Sequence, residues 1–188
     1  MELKYPKEAE NNVERLLKSQ GISPKDRLIG ICAAVGESVT ERQWPYFREL
    51  CMRIKGYKII LIGSDYQLNE GVRDGNPDMI NLAGKLSMPE MFCIMKRFSV
   101  FVSNDTGPMH VAAAQGTRTI GLFGPNTPKI WAPLGKHNIS IFHPAKGCPY
   151  LDNTRHELVP SHLTEAQKKV MENITVDEVL HHINKGGR

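Results

Sequence analysis

Short apolar runs of strand length alternate with amphipathic stretches of helical spacing along most of this chain. Residues 8–20 read as a helix that stops before Gly21, and Arg27-Leu28-Ile29-Gly30-Ile31-Cys32-Ala33 reads as a first strand. Apolar side chains at Trp44, Phe47, Leu50, Cys51 and Ile54 predict a helix over 44–54, ended by Gly56 ahead of a strand over 57–62. A short helix after Gly63-Ser64-Asp65 and a strand around 79–82 follow. Ser87-Met88-Pro89-Glu90 then opens a helix to Lys96, with Ser87 as cap, Pro89 in the first helical position and Glu90 closing a capping box. Ser99-Val100-Phe101-Val102, Thr119-Ile120-Gly121-Leu122-Phe123 and Ile139-Ser140-Ile141-Phe142 are three further strands. An alanine-rich helix follows the first of them, and Gly124-Pro125-Asn126-Thr127-Pro128 breaks the chain after the second. Residues 164–185 hold two more helix patterns, the second starting at Thr175-Val176-Asp177-Glu178.

Strands that alternate with helices, four of them apolar nearly throughout, predict an α/β fold: a Rossmann-like parallel sheet with helices on both faces. Ligands of such sheets sit at the carboxyl ends of the strands. The loops predicted there (residues 34–42, 63–65, 104–107 and 124–126) gather small, hydroxylic and charged residues around one crevice. The most informative is Ser103-Asn104-Asp105-Thr106-Gly107-Pro108-Met109-His110, where a strand feeds a helix. Thr106 is placed to cap that helix, Gly107 lets a ligand approach the backbone, and Pro108 suits the first turn. A helix N-terminus of this kind favours anions, phosphate above all. An ordinary capped helix accounts for the same glycine and proline but leaves Asp105 and His110 unexplained. Neither GxGxxG nor GxxxxGK[ST] occurs, which disfavours a dinucleotide fingerprint and a P-loop.

Composition narrows this further. At 188 residues the chain is of single-domain size, and its net charge of +4 comes without the lysine or arginine block expected for nucleic-acid binding. Cys32, Cys51, Cys93 and Cys148 form no CxxC pair, so they read as thiols of a reducing compartment rather than as a zinc site or a disulfide framework. No apolar run has the length of a membrane span, and Met1-Glu2-Leu3-Lys4 does not begin a signal peptide. The expectation is a cytoplasmic protein without a transmembrane segment, peripheral at the inner face of the inner membrane at most.

Three segments in order carry a family resemblance: Asn81-Leu82-Ala83-Gly84-Lys85-Leu86-Ser87, Asn104-Asp105-Thr106-Gly107-Pro108-Met109-His110-Val111-Ala112-Ala113-Ala114, and Leu122-Phe123-Gly124-Pro125. Together with Arg42-Gln43-Trp44-Pro45-Tyr46-Phe47 they resemble the C-terminal domain of the family 9 glycosyltransferases, the ADP-heptose:lipopolysaccharide heptosyltransferases. The resemblance implies the C-terminal half of a two-domain GT-B enzyme. Residues 1–26 would be a linker and leading helix, 27–160 the nucleotide-sugar-binding domain, and 161–188 helices that pack on it and reach towards an N-terminal domain, leaving an apolar face partly exposed.

The resemblance also implies roles. Thr106 and Gly107 would offer backbone N–H groups to the donor diphosphate, and Asp105 would hold sugar hydroxyls or orient the loop. His110 would donate to a phosphate or else pack between helix and strand. Arg42 would neutralise the departing diphosphate, Ser38 would touch phosphate, Asp65 would meet the ribose or simply cap a helix, and Leu86 would lie on the base or fill the core. Glu37 departs from the family pattern. No residue of the chain is expected to be the catalytic base, which the resemblance assigns, with the lipopolysaccharide core acceptor site, to the N-terminal domain. The chain would bind ADP-heptose and transfer little sugar, with no metal or other cofactor. Residues 143–161 are expected to be a loop, without a metal, and His181 and His182 to lie on a solvated helix face. Two other readings compete: a non-enzymatic flavodoxin-like nucleotide- or phosphate-binding module, and a nucleotide-sugar epimerase-like domain.

Overall fold

A computed structural model describes residues 2–145 and 165–185, the side chains of 37–39 and 168 excepted. Cys148 and most of the expected loop over 143–161 lie outside the described residues. Strands β1 (Leu28–Cys32), β2 (Lys58–Leu61), β3 (Met79–Asn81), β4 (Phe98–Asn104), β5 (Thr119–Phe123) and β6 (Ile139–Phe142) form one sheet in the order β3-β2-β1-β4-β5-β6. Every pairing is parallel. All five residues of β1 and of β5 are buried, which explains why their sequences are apolar rather than alternating.

Helices cover both faces. Helix α1 (Lys7–Ser19) packs on α4 (Met88–Met95), and with α5 (Gly107–Ala114) they close one core around Val13, Leu17, Ile60, Ile94, Phe98 and Phe101. On the opposite face α2 (Phe47–Arg53), α3 (Tyr66–Arg73) and α8 (Val176–Lys185) close a second core around Ile29, Ile31, Trp44, Leu50, Val100 and Leu122. Two short helices, α6 (Pro128–Trp131) and α7 (Glu165–Lys168), and a 3-10 turn (Val170–Asn173) complete the described chain. The expected exposure of the last helix is not found. Val179 and Ile183 of α8 are buried to 0% and 1% exposure in the second core, where α8 packs on α2. His182 is half-buried rather than solvated, and burial lowers its imidazole below the usual histidine range.

Some element starts differ from the sequence pattern. The helix expected from Trp44 begins at Phe47: Pro45 disfavours helical backbone at the residue before it, and the Trp44 N–H is donated at 3.0 Å to Asn104 Oδ1 on a strand far along the chain. The Glu90 carboxylate does accept the Ser87 backbone N–H at 2.8 Å, but helix α4 starts at Met88, so Pro89 falls in its second position.

Gly30 marks the tightest point of the sheet. The Phe98 and Phe101 rings stack at 5.9 Å beside it, and a β-carbon there would lie 2.5 Å from Phe98 and 2.7 Å from Phe101. A side chain at this position would have to displace two buried rings at once. Gly30→Ala is therefore expected to destabilise the fold by about 1–3 kcal/mol, read as a lowered urea midpoint with an unchanged slope.

Candidate functional site

The chain order reverses between β1 and β4, and a parallel sheet opens its crevice where the order reverses. Asn104, the last residue of β4 and fully buried, spans that opening. Its Nδ2 donates to the Ala33 carbonyl at 2.8 Å while its Oδ1 accepts the Trp44 N–H at 3.0 Å. The Trp44 indole in turn donates to the Ile174 carbonyl at 2.9 Å and meets Tyr46 and Phe47 edge-on. The loop between these anchors runs through a 3-10 turn (Glu37–Arg42) that ends on Arg42.

Arg42 Nη1 lies 4.0 Å from Asp105 Oδ2, with the two side chains 19% and 6% exposed. Asp105 Oδ2 also accepts from Asn126 Nδ2 at 2.6 Å. Burial pushes the Asp105 carboxyl above the usual aspartate range, while Asn126, Arg42 and His110 pull it back towards ionisation. Arg42 makes no hydrogen bond among the described residues, so its fork of donors is directed to nothing but this carboxylate.

Thr106 takes the cap position of α5, but its hydroxyl does not cap. It pairs instead with Ser103 Oγ at 3.1 Å, and Ser103 Oγ donates to the Asn104 carbonyl at 2.8 Å. The first turn of α5 is thus left without a side-chain acceptor, and a β-carbon on Gly107 would meet nothing within 4 Å. Pro108 has no N–H and the Met109 N–H is donated to the Thr106 carbonyl at 3.1 Å, so Gly107 carries the open donor of this turn, above open space where an anion can sit. Beside it a cavity of about 320 Å³ is lined by Ile62, Gly63, Ser64, Leu82, Leu86 and Pro108, among others.

The expected residues are distributed as follows. Arg42, Asp105, Thr106 and Gly107 come together at the reversal, and Leu86 lines the neighbouring cavity while packing against the first core described. Asp65 caps α3, accepting the Leu68 N–H at 2.8 Å, and does not line that cavity. The side chain of Ser38 lies outside the described residues. His110 lines a second, larger and mainly apolar cavity of about 570 Å³ on the outer side of α5, with Val111, Ala114, Leu134 and His137. Asn104, Asn126, Ser103 and Ser64 join the site without having been singled out. Asn104 and Asn126 stand inside quoted motifs, yet their partners are distant in sequence and leave no local pattern.

The raised position of Asp105 makes a signed prediction. A carboxyl whose folded pKa lies above its unfolded value adds stability that is complete below the unfolded pKa and lost as pH rises through the folded one. Ionised Asp105 therefore burdens the fold at neutral pH. Asp105→Asn is expected to unfold at a higher temperature than the parent at neutral pH, and the gap should close as pH falls through the raised pKa. A pH-independent gap, or a less stable variant, would show that the surrounding donors outweigh burial.

Comparison with known proteins places this geometry. The family model for glycosyltransferase family 9 (heptosyltransferase) matches residues 3–158. A lipooligosaccharide heptosyltransferase 2 of Haemophilus influenzae is 28% identical over 140 residues, covering 69% of this chain and 40% of the relative. The lipopolysaccharide heptosyltransferase 2 of Escherichia coli K12 is 27% identical over 174 residues, covering 87% and 47%. The chain thus spans less than half the length of these relatives. Among solved structures, a family 9 glycosyl transferase of Veillonella parvula superposes with a TM-score of 0.79 at 23% identity, over 99% of this chain and 53% of that one. The E. coli ADP-heptose lipopolysaccharide heptosyltransferase II does so with a TM-score of 0.74 at 22% identity, over 98% and 53%. With a parallel six-stranded sheet, a reversal crevice and a family match over most of its length, the chain belongs to glycosyltransferase family 9, the heptosyltransferases.

Proposed function

We propose that this chain is the donor-binding domain of a glycosyltransferase that moves a heptose from ADP-heptose to a lipopolysaccharide core acceptor, working in the cytoplasm. The observation that carries it is the juxtaposition of Arg42 and Asp105 with the uncapped, open start of α5. A diphosphate seated there meets a guanidinium and the open Gly107 N–H at once, and the base and ribose extend into the cavity that ends at Leu86.

Sugar transfer from such a donor needs a stabilised leaving diphosphate and an activated acceptor hydroxyl. Arg42 and the start of α5 serve the first need, with no divalent cation. Asp105, held by Asn126 on one side, has a second oxygen for sugar hydroxyls. The second need, a general base and the acceptor site, belongs on this reading to the part of the relatives that the chain does not cover.

Calorimetric titration with ADP, UDP and GDP tests the reading. ADP is expected to bind in preference to the others, with an affinity unchanged by EDTA and reduced by Asp105→Ala. Equal affinity for all three, or tight binding of FMN instead, would overturn it in favour of a generic phosphate- or flavin-binding module.

A further inference from the structure

We propose that residues 129–137 form a docking surface for an anionic lipid bilayer. The segment comprises most of α6 and the connection towards β6, and within five residues exposes three large apolar side chains: Ile130 at 40%, Trp131 at 37% and Leu134 at 82%. Isolated exposed apolar residues are ordinary on any protein surface, but a cluster of this kind marks contact with something. At Leu134 the cluster continues into the apolar cavity along the outer side of α5.

The turn that presents Leu134 is fixed rather than loose. Asn138 Nδ2 donates to the Leu134 carbonyl at 2.5 Å, Asn138 Oδ1 accepts the Thr119 N–H at 2.8 Å, and Pro133 is buried between the exposed residues. Leu134 is thus held on a turn tied to the first residue of β5, while Ile130 and Trp131 stand on α6.

Charge selects the occupant. From residue 106 to residue 151 the sequence contains no aspartate or glutamate, whereas it contains Arg118, Lys129, Lys136 and Lys146. Lys129 and Lys136 bracket the apolar cluster, both exposed and neither paired with a carboxylate among the described residues. A lipid interface suits the combination, because tryptophan and leucine enter the headgroup boundary while lysine ammonium groups meet phosphates. The test requires no nucleotide, so each reading can fail without the other.

The chain has two tryptophans, and Trp44 is 1% exposed, so a change in emission on adding lipid reports Trp131. With vesicles of equimolar phosphatidylglycerol and phosphatidylcholine, the chain is expected to co-sediment, shift its emission to the blue and be quenched by brominated acyl chains. Vesicles of phosphatidylcholine alone should do none of this. A Lys129→Gln, Lys136→Gln double variant is expected to bind roughly twenty-five-fold more weakly, at about fivefold per lysine near the surface. Ile130→Ser with Leu134→Ser should abolish the quenching, and Trp131→Phe should remove the signal while keeping co-sedimentation. All these positions are exposed, and unchanged circular dichroism checks the fold of each variant. Absence of binding to anionic vesicles, binding without quenching, or a blue shift that follows protein concentration without lipid would overturn the proposal. The last of these would identify the occupant as a second copy of the chain.

Discussion

Alanine at Arg42 is expected to weaken ADP binding by roughly thirtyfold, about 2 kcal/mol, the worth of a charged hydrogen-bonded contact to phosphate. The size of the effect follows from how the side chain is held. Arg42 ends a turn whose following residue but one, Trp44, is anchored through both its backbone and its indole, and its own guanidinium is four-fifths buried beside Asp105. A guanidinium in that position loses little freedom on binding and is poorly screened by solvent. Lysine at the same place should recover part of the affinity, since it restores the charge but not the planar fork. Calorimetry at low and high salt is the check. If Arg42→Ala binds ADP like the parent at both, the diphosphate does not sit at the reversal between β1 and β4.

Trp44→Ala is expected to lower the stability of the fold by about 4–8 kcal/mol. Truncating a buried tryptophan removes about 3–5 kcal/mol. The Ile174 carbonyl loses its indole donor besides, at a further cost of about 1–3 kcal/mol, against a total stability of about 5–15 kcal/mol for a domain of this kind. Trp44→Phe falls between the parent and Trp44→Ala, because it keeps an aromatic ring against Tyr46 and Phe47 while removing the donor and part of the buried ring volume. Urea denaturation should rank the parent above Trp44→Phe and both well above Trp44→Ala. A Trp44→Ala variant of parental stability would mean that the second core repacks around the loss.

Much of the architecture could be read before any coordinates because parallel strands buried on both faces have a simple signature. β1 and β5 are short and mainly apolar, Gly124 follows β5 directly, and the Asp105-Thr106-Gly107-Pro108 turn is punctuated by residues whose backbone preferences are strong. What escaped depends on partners far along the chain. Helical spacing runs back from Phe47 to Trp44; Pro45 disfavours helical backbone at Trp44, but the acceptor that takes the Trp44 N–H, Asn104 Oδ1, leaves no trace in the local sequence. Thr106 has the residue type and position of a cap, but Ser103 competes for its hydroxyl. The last helix carries an apolar stripe, and nothing in that stripe says whether it faces α2 or open solvent. The same holds for the site: Arg42 and Asp105 were identified separately, whereas Asn126 holding Asp105 is a contact across two loops.

The bond from Trp44 to Ile174 joins residues 130 positions apart. A chain made from its N-terminus can pair β1 with β2 early, yet the turn carrying Arg42 gains its second anchor only after nearly all of the sequence has been synthesised. A product cut short before Ile174 would lose that anchor together with Val176, Val179 and Ile183 of the second core.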